Sequence, residues 1–411
     1  MFIIYNLINL LLLLFSPFIL IIRFFLGKED KKRFKEKFCF FSKRNNCKEI
    51  IWIHGSSVGE ILSIIPIIKV LEKEKKIKKI LLTSSTTSSA SVILKYKFKK
   101  TVHQYYPLDI GFLTNFFISY WKPKIAIFVE SEVWPNMYKN LYRKKIPLIL
   151  LNARITKKSF NRWKFFPNFS KNIFSKITLA LPQNTETKDY LHLLGVKNIK
   201  IAGNLKYFGN LGIRKFKNDL RNKFYRRNVW CAASTHKDEE MFIGRVHNEL
   251  KSKIKNLITI IIPRHINRTS SIINELRSIG LNYQLHSENK KIKKTTDVYL
   301  VDTYGEATKF YLLSKLTFLG GSIIKHGGQN PLEPAREGNY ILYGPNISNF
   351  KEVYEMLNFL KIAKKINSIE EMKKIVLKRI DFNQNKKVKN KLKIIGDKIL
   401  SNNLLEIKKL I

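Results

Sequence analysis

The chain has 411 residues, more than one compact core accommodates, so two domains of ordinary size are expected. Its 76 Lys and Arg against 31 Asp and Glu give a formal charge of +45. The basic residues are scattered along the whole chain instead of forming one basic, aromatic-lined stretch, which argues against a nucleic-acid binder and leaves an attraction to anionic surfaces such as membrane lipids.

Met1–Ile22 contains no charged residue and is dominated by Leu, Ile and Phe. As one helix it would span roughly 33 Å, enough to cross a bilayer core. It has neither the basic n-region nor the A-x-A site of a cleaved signal peptide, so it reads as an N-terminal membrane anchor, with Pro17 able to kink it or hold it at the interface. Residues 23–48 carry ten Lys/Arg and three Asp/Glu. By the positive-inside rule this basic juxtamembrane segment puts the rest of the chain on the cytoplasmic side. Cys39, Cys47 and Cys231 lack metal-ligand or disulfide spacing, as expected in a reducing compartment.

From Glu49 short apolar runs alternate with longer helical stretches. The runs are Ile50–Ile53, Ile80–Thr83, Ile125–Val129, Pro147–Leu151, Ile177–Leu181 and Ile199–Ala202, and a second series follows at Val229–Ala233, Leu257–Ile262, Val298–Val301, Leu316–Leu319 and Tyr340–Tyr343. That alternation is the pattern of parallel sheets covered by helices on both faces. It predicts an α/β protein with a Rossmann-like domain over 49–205, a charged, Gly-containing linker over 206–228, and a second Rossmann-like domain over 229–411 that includes the basic C-terminal helices. Ligands are expected in a cleft at the C-terminal ends of the strands.

The loops at those ends hold the unusual polar residues. HGSSVGE (His54–Glu60) leaves the first strand and brings Glu60 into a helix start; dipole compensation is the ordinary role there, and a general base the competing one. ESEVWPN (Glu130–Asn136) follows the Ile125–Val129 strand with carboxylates at Glu130 and Glu132, but no His or third carboxylate stands beside them to complete a metal site. GNLKY (Gly203–Tyr207) presents Lys206, and IIIPRH (Ile260–His265) ends in Pro263 and Arg264, well placed for a phosphate. Gly305, Glu306 and Ala307 form another helix start. Around Gly320-Gly321 and Gly327-Gly328 the chain turns from a strand into a helix, with Asn330 suited to the N-cap and Pro331 to the first helical position. Free backbone N–H groups and a positive dipole end there would favour an anion.

In order and spacing these motifs, together with HQYYPLD (His103–Asp109), LNARIT (Leu151–Thr156), STHKDEE (Ser234–Glu240) and GGQNPLE (Gly327–Glu333), resemble the bacterial 3-deoxy-D-manno-octulosonic acid (Kdo) transferases of lipopolysaccharide synthesis over essentially the whole chain. The resemblance implies a GT-B glycosyltransferase that transfers Kdo from CMP-Kdo to a lipid A precursor, lipid IVA, at the inner membrane. Transfer would be inverting and would use neither metal nor cofactor. It implies Glu60 as proton acceptor and Glu130 and Lys206 as transition-state stabilisers. CMP contacts map onto Pro263, Arg264, Gly305, Glu306, Ala307, Asn330, Pro331, Leu332 and Glu333. A GT-B lipid glycosyltransferase using a UDP-sugar is the alternative; it has no reason to carry HGSSVGE together with ESEVWPN.

Overall fold

The computed structural model describes every residue except 44, 46, 48, 208–217 and 381–384. It divides into two compact units, residues 1–210 with 395–411, and residues 211–394. The middle of the expected linker lies outside the described residues.

The first unit is built on six strands, β1 (Ile50–His54), β2 (Ile80–Ser84), β3 (Thr101–Tyr105), β4 (Pro123–Val129), β5 (Leu148–Ala153) and β6 (Leu179–Pro182). They form one parallel sheet in the order β3-β2-β1-β4-β5-β6. Successive side chains point to opposite faces, and here both faces are dry. Trp52, Phe128 and Leu150 join one apolar cluster, Ile53, Ile127 and Leu151 the other. The run Ile199–Ala202 forms no strand; only Ile199 bridges to Ala180.

The second unit holds β7 (Asn228–Thr235), β8 (Leu257–Pro263), β9 (Tyr283–Leu285), β10 (Val298–Leu300), β11 (Leu316–Leu319), β12 (Tyr340–Tyr343) and β13 (Ala363–Lys365). These are again all parallel, in the order β13-β12-β11-β7-β8-β10-β9. The polar edge strands β3, β9 and β13 were not visible as apolar runs. The end of the expected linker packs as part of this unit: Arg227 donates to the carbonyls of Asn256, Leu257 and Thr296, and Phe224 is buried against Tyr299.

Two expectations are corrected. The first concerns the last helix, Asn385–Lys408, which was assigned to the second domain. From Ile395 onward it belongs with the first unit, where Ile399, Leu404 and Ile407 are buried in the cluster on one face of the first sheet. Lys200–Glu406 and Lys408–Glu74 ion pairs flank it. Gly203 is what lets it close in: its φ is +83°, and a Cβ there would lie 2.8 Å from Ile399.

The second concerns the N-terminus, which is two helices, Phe2–Leu14 and Ser16–Phe25, bent by 58°. Pro17 has no N–H to give, and its ring blocks the carbonyl of Leu13. Among the described residues no single helix is long and apolar enough to cross a membrane; only the bent pair together has the length and composition. Nor is the segment detached. Phe2 and Leu13 pack on the first unit's core, and the Tyr5 hydroxyl donates to Asp109 at 2.7 Å. The basic segment that follows is also folded in. Buried Glu36 takes bidentate hydrogen bonds from Arg33 and a backbone bond from Tyr105 on edge strand β3, while Glu29 pairs with Arg23 and Lys37.

Candidate active site

In the first unit the chemistry gathers where β1, β4 and β5 end. Ser57 caps the helix Val58–Leu71 through a capping box. The Glu60 carboxylate accepts from the Ser56 backbone N–H at 2.7 Å and from the Ser57 hydroxyl at 2.9 Å. The Glu60 carboxylate thus closes the cap of its own helix. Burial is the largest influence on Glu60 and the neighbouring Glu132 carboxylate the next. The Ser56 and Ser57 hydrogen bonds oppose them, Glu130 adds a smaller push, and the carboxyl ends at about 7.

The two carboxylates after β4 are each engaged. Glu130 is buried, with φ +58°, a conformation non-glycine residues adopt only under constraint. Its Oε1 lies 2.6 Å from Lys206 Nζ, a close ion contact without hydrogen-bond alignment. Glu132 Oε2 accepts from the Trp134 indole at 2.8 Å and lies 3.2 Å from His54 Nε2. His54 is fully buried, with its other ring nitrogen 2.9 Å from the Thr83 hydroxyl. Among the described residues no three His, Cys, Asp or Glu side chains stand together as metal ligands.

Residues the motifs did not single out hold this geometry. Asn152, buried and with φ +52°, accepts the Leu205 backbone N–H at 2.9 Å, which pins the GNLKY turn so that Lys206 reaches Glu130. Asp109 accepts the backbone N–H groups of Asn136 and Met137 and so caps the helix Pro135–Arg143 from outside. The signal for both was their place in LNARIT and HQYYPLD; nothing local marks their partners.

In the second unit the expected nucleotide residues cluster at the ends of β7, β8, β10 and β11. Arg264 follows β8 with its backbone N–H on the Thr235 carbonyl and its side chain exposed. Neighbouring Arg268 is committed to buried Glu240 by two hydrogen bonds. His236 meets His326 with the rings tilted by 34° and centroids 4.3 Å apart, and meets His265 edge-on. Burial first, and then its neighbours His326, His265, Arg264 and Arg268, pull His236 down to about 4, so it is neutral near pH 7. Gly305 has φ +80°, and Glu306 is held by His286, Thr303 and Lys309. Glu333 accepts from Thr308, tying the Gly305–Ala307 turn to the loop after Gly328. Pro263, Pro331 and Leu332 are buried, whereas Asn330 and Glu333 are exposed.

The glycine-rich loop is closed at its first Gly-Gly pair. The amides after β11 are not open to an anion: buried Glu239 accepts the backbone N–H groups of Gly321, Ser322 and Ile323, and of His236, at 2.7–3.1 Å. The protein thus fills its own anion nest with a carboxylate from the STHKDEE segment. The helix beyond Pro331 covers only Leu332–Arg336. It starts one residue later than predicted and is too short to sum much of a dipole. Asn330 still acts near its start, accepting the Leu332 N–H.

Two parallel-sheet α/β units with polar clusters at their strand ends define a GT-B-like architecture. The fold is similar to that of a putative UDP-N-acetylglucosamine 2-epimerase from Listeria monocytogenes, at 14% identity and TM-score 0.57, covering 86% of this chain and 95% of that one. Residues 32–208 match the family model described as 3-deoxy-D-manno-octulosonic-acid transferase (kdotransferase). The chain is 33% identical to the 3-deoxy-D-manno-octulosonic acid transferase of Rickettsia bellii over 94% of this chain and 92% of that protein. It is 31% identical to the transferase of that name from Haemophilus influenzae over 82% and 81% respectively. The chain belongs to the Kdo transferase family and is a glycosyltransferase.

Proposed function

We propose that the protein transfers Kdo from CMP-Kdo to a hydroxyl of a lipid A precursor such as lipid IVA, with Glu60 as the base. What carries this reading is the Glu60 carboxyl, steadied by Ser56 and Ser57 but raised to about 7 by burial and by Glu132. A group that titrates near neutrality is suited to taking a proton in the transition state. As the acceptor O–H gives its proton to Glu60, its oxygen bonds to the anomeric carbon of Kdo. The bond from that carbon to the CMP phosphate oxygen breaks, and its electron pair leaves with CMP. Direct displacement inverts the anomeric configuration. Glu130 and Lys206, paired at 2.6 Å, are assigned to stabilising charge in the transition state.

CMP is assigned to Pro263, Arg264, Gly305, Glu306, Ala307, Asn330, Pro331, Leu332 and Glu333. Arg264 supplies charge toward the phosphate, and the exposed Asn330 and Glu333 supply polar contacts. With Glu130 and Glu132 already held by Lys206, His54 and Trp134, these residues act without a divalent cation between them. The apolar helices Phe2–Leu14 and Ser16–Phe25 are assigned to the inner membrane, with both units on the cytoplasmic side. Incubating the protein with CMP-Kdo and a tetraacylated lipid A precursor and weighing the products tests the reaction. A product heavier by one or more Kdo units is expected; transfer from a UDP-sugar instead would overturn it.

A further inference from the structure

A pocket of about 750 Å³ opens in the first unit between the N-terminal end of the helix Phe2–Leu14 and the helices Pro135–Arg143 and Pro167–Phe174. Its walls combine aromatic rings, Phe2, Tyr142 and Phe166, with the cations Lys139, Arg143 and Lys176, and no Asp or Glu lines it. Lys139 sits over the Phe2 ring at 4.4 Å and Lys176 over Tyr142 at 5.6 Å. Nothing anionic offsets the three charges there, and the aromatic walls leave an amphiphile's apolar part somewhere to lie.

The place of the pocket in the fold separates it from the reaction. A helix that follows a parallel strand runs back along it, so Arg143 at the end of Pro135–Arg143 lies toward the N-terminal edge of the sheet, as does Lys176 just before β6, with Lys139 midway along its helix. Glu60 and Glu130 follow the strands' C-terminal ends, at the opposite edge from Arg143 and Lys176, and neither lines the pocket. What does adjoin the pocket is the start of the helix Phe2–Leu14, where Ile3 is 83% exposed, together with the exposed aromatics Tyr142 and Phe165. Aromatic rings beside lysines and arginines, next to an unpartnered apolar helix, are the composition of a membrane–water interface.

We propose that this pocket binds the phosphate headgroup of an anionic glycerophospholipid and so seats the first unit on the bilayer at a fixed rotation. The inference rests on the reading that the N-terminal helices lie at the membrane. It is tested with the full chain and two vesicle types, phosphatidylcholine alone and phosphatidylcholine containing phosphatidylglycerol, measured by co-sedimentation. Each basic residue at an anionic surface strengthens binding about fivefold, so Lys139→Gln/Arg143→Gln/Lys176→Gln should cut the preference for the anionic vesicles by about 10- to 100-fold. A control that removes equal charge elsewhere, Lys73→Gln/Lys75→Gln/Lys76→Gln, should cut it no more than about threefold, which separates a site from the general effect of net charge +45. Transfer to detergent-dispersed acceptor should be unchanged in both variants.

Equal losses in the two variants would overturn the site while leaving membrane association intact. An unchanged preference in the pocket variant would overturn it as well, and a raised KM for dispersed acceptor would reassign the pocket to the acceptor's own phosphates. Wild-type protein that ignores both vesicle types would defeat the underlying membrane reading instead.

Discussion

Replacing Glu60 by Gln removes a proton acceptor while leaving its surroundings nearly intact. Gln serves a capping box as well as Glu does. Its Oε1 can still accept the Ser56 N–H, now 2.7 Å from the carboxylate, and the Ser57 hydroxyl can turn to accept from the amide. The expected loss in turnover is about 10²–10⁴-fold. The pH profiles should separate as well. With its carboxyl at about 7, Glu60 is ionised in roughly a tenth of wild-type molecules at pH 6 and about nine-tenths at pH 8. Wild-type kcat/KM should therefore climb about ninefold over that interval, and the residual activity of the variant should stay flat.

The stability sign is opposite to that of an ion-paired carboxylate. Because folding raises the Glu60 carboxyl from 4.5 to about 7, the folded state binds the proton more tightly between those values. Its contribution is fully present below about pH 4.5 and is lost as pH rises through 7. Gln has no such titration, so at pH 8 the variant should melt at or above the wild-type temperature. Turnover by pH-stat or mass-resolved product assay, paired with calorimetry on the same variant, checks both. A stable variant that turns over at the wild-type rate with an unaltered pH profile would refute Glu60 as the base.

Arg264→Ala deletes a charge-assisted contact of about 1.5–3 kcal/mol and should weaken inhibition by free CMP about 10- to 150-fold; unchanged inhibition would remove Arg264 from the donor site. Transfer from ready-made CMP-Kdo should persist in EDTA, since Glu130 and Glu132 already have protein partners. Complete loss of activity that returns with added metal would contradict this. Gly203→Ala places a Cβ at φ +83° and 2.8 Å from Ile399, and should cost about 1–3 kcal/mol, read as a lower Tm, with loosened packing of residues 395–411 detected by hydrogen exchange. Tyr5→Phe removes the hydroxyl from buried Asp109 and should lower stability by about 1–2 kcal/mol, or roughly 3–8 °C in Tm; an unchanged Tm would mean that the N-terminal helix does not brace the Asp109 cap.

Much of the framework was legible because it is encoded locally. A strand buried on both faces must be apolar throughout, so β1, β4, β8 and β11 stand out as short Ile- and Leu-rich runs, and the polar residues after each run mark where a ligand can sit. Glu60, Glu130, Lys206 and Arg264 were named from those loops, and the structure brings the first three together in one unit. Three edge strands, β3, β9 and β13, escaped because a strand with one neighbour need not be apolar: β13 reads AKK, and β3 carries His103 and Gln104.

What the tertiary structure alone decided are the pairings between residues far apart in the chain. Asn152 and Leu205 are 53 residues apart, Glu239 and Gly321 82, and Tyr5 and Asp109 104. No periodicity carries such a pairing, because each side chain is chosen for a partner that only folding brings within reach. For the same reason nothing local shows that Glu239 occupies the amides of Gly321, Ser322 and Ile323. The last helix, basic and without a local address, returns to the first unit because Gly203 leaves room for Ile399 there. The sequence alone determined which segments are strands with reactive ends. Which groups are spent on holding the fold, and which remain for chemistry, depended on contacts that exist only once the chain is folded.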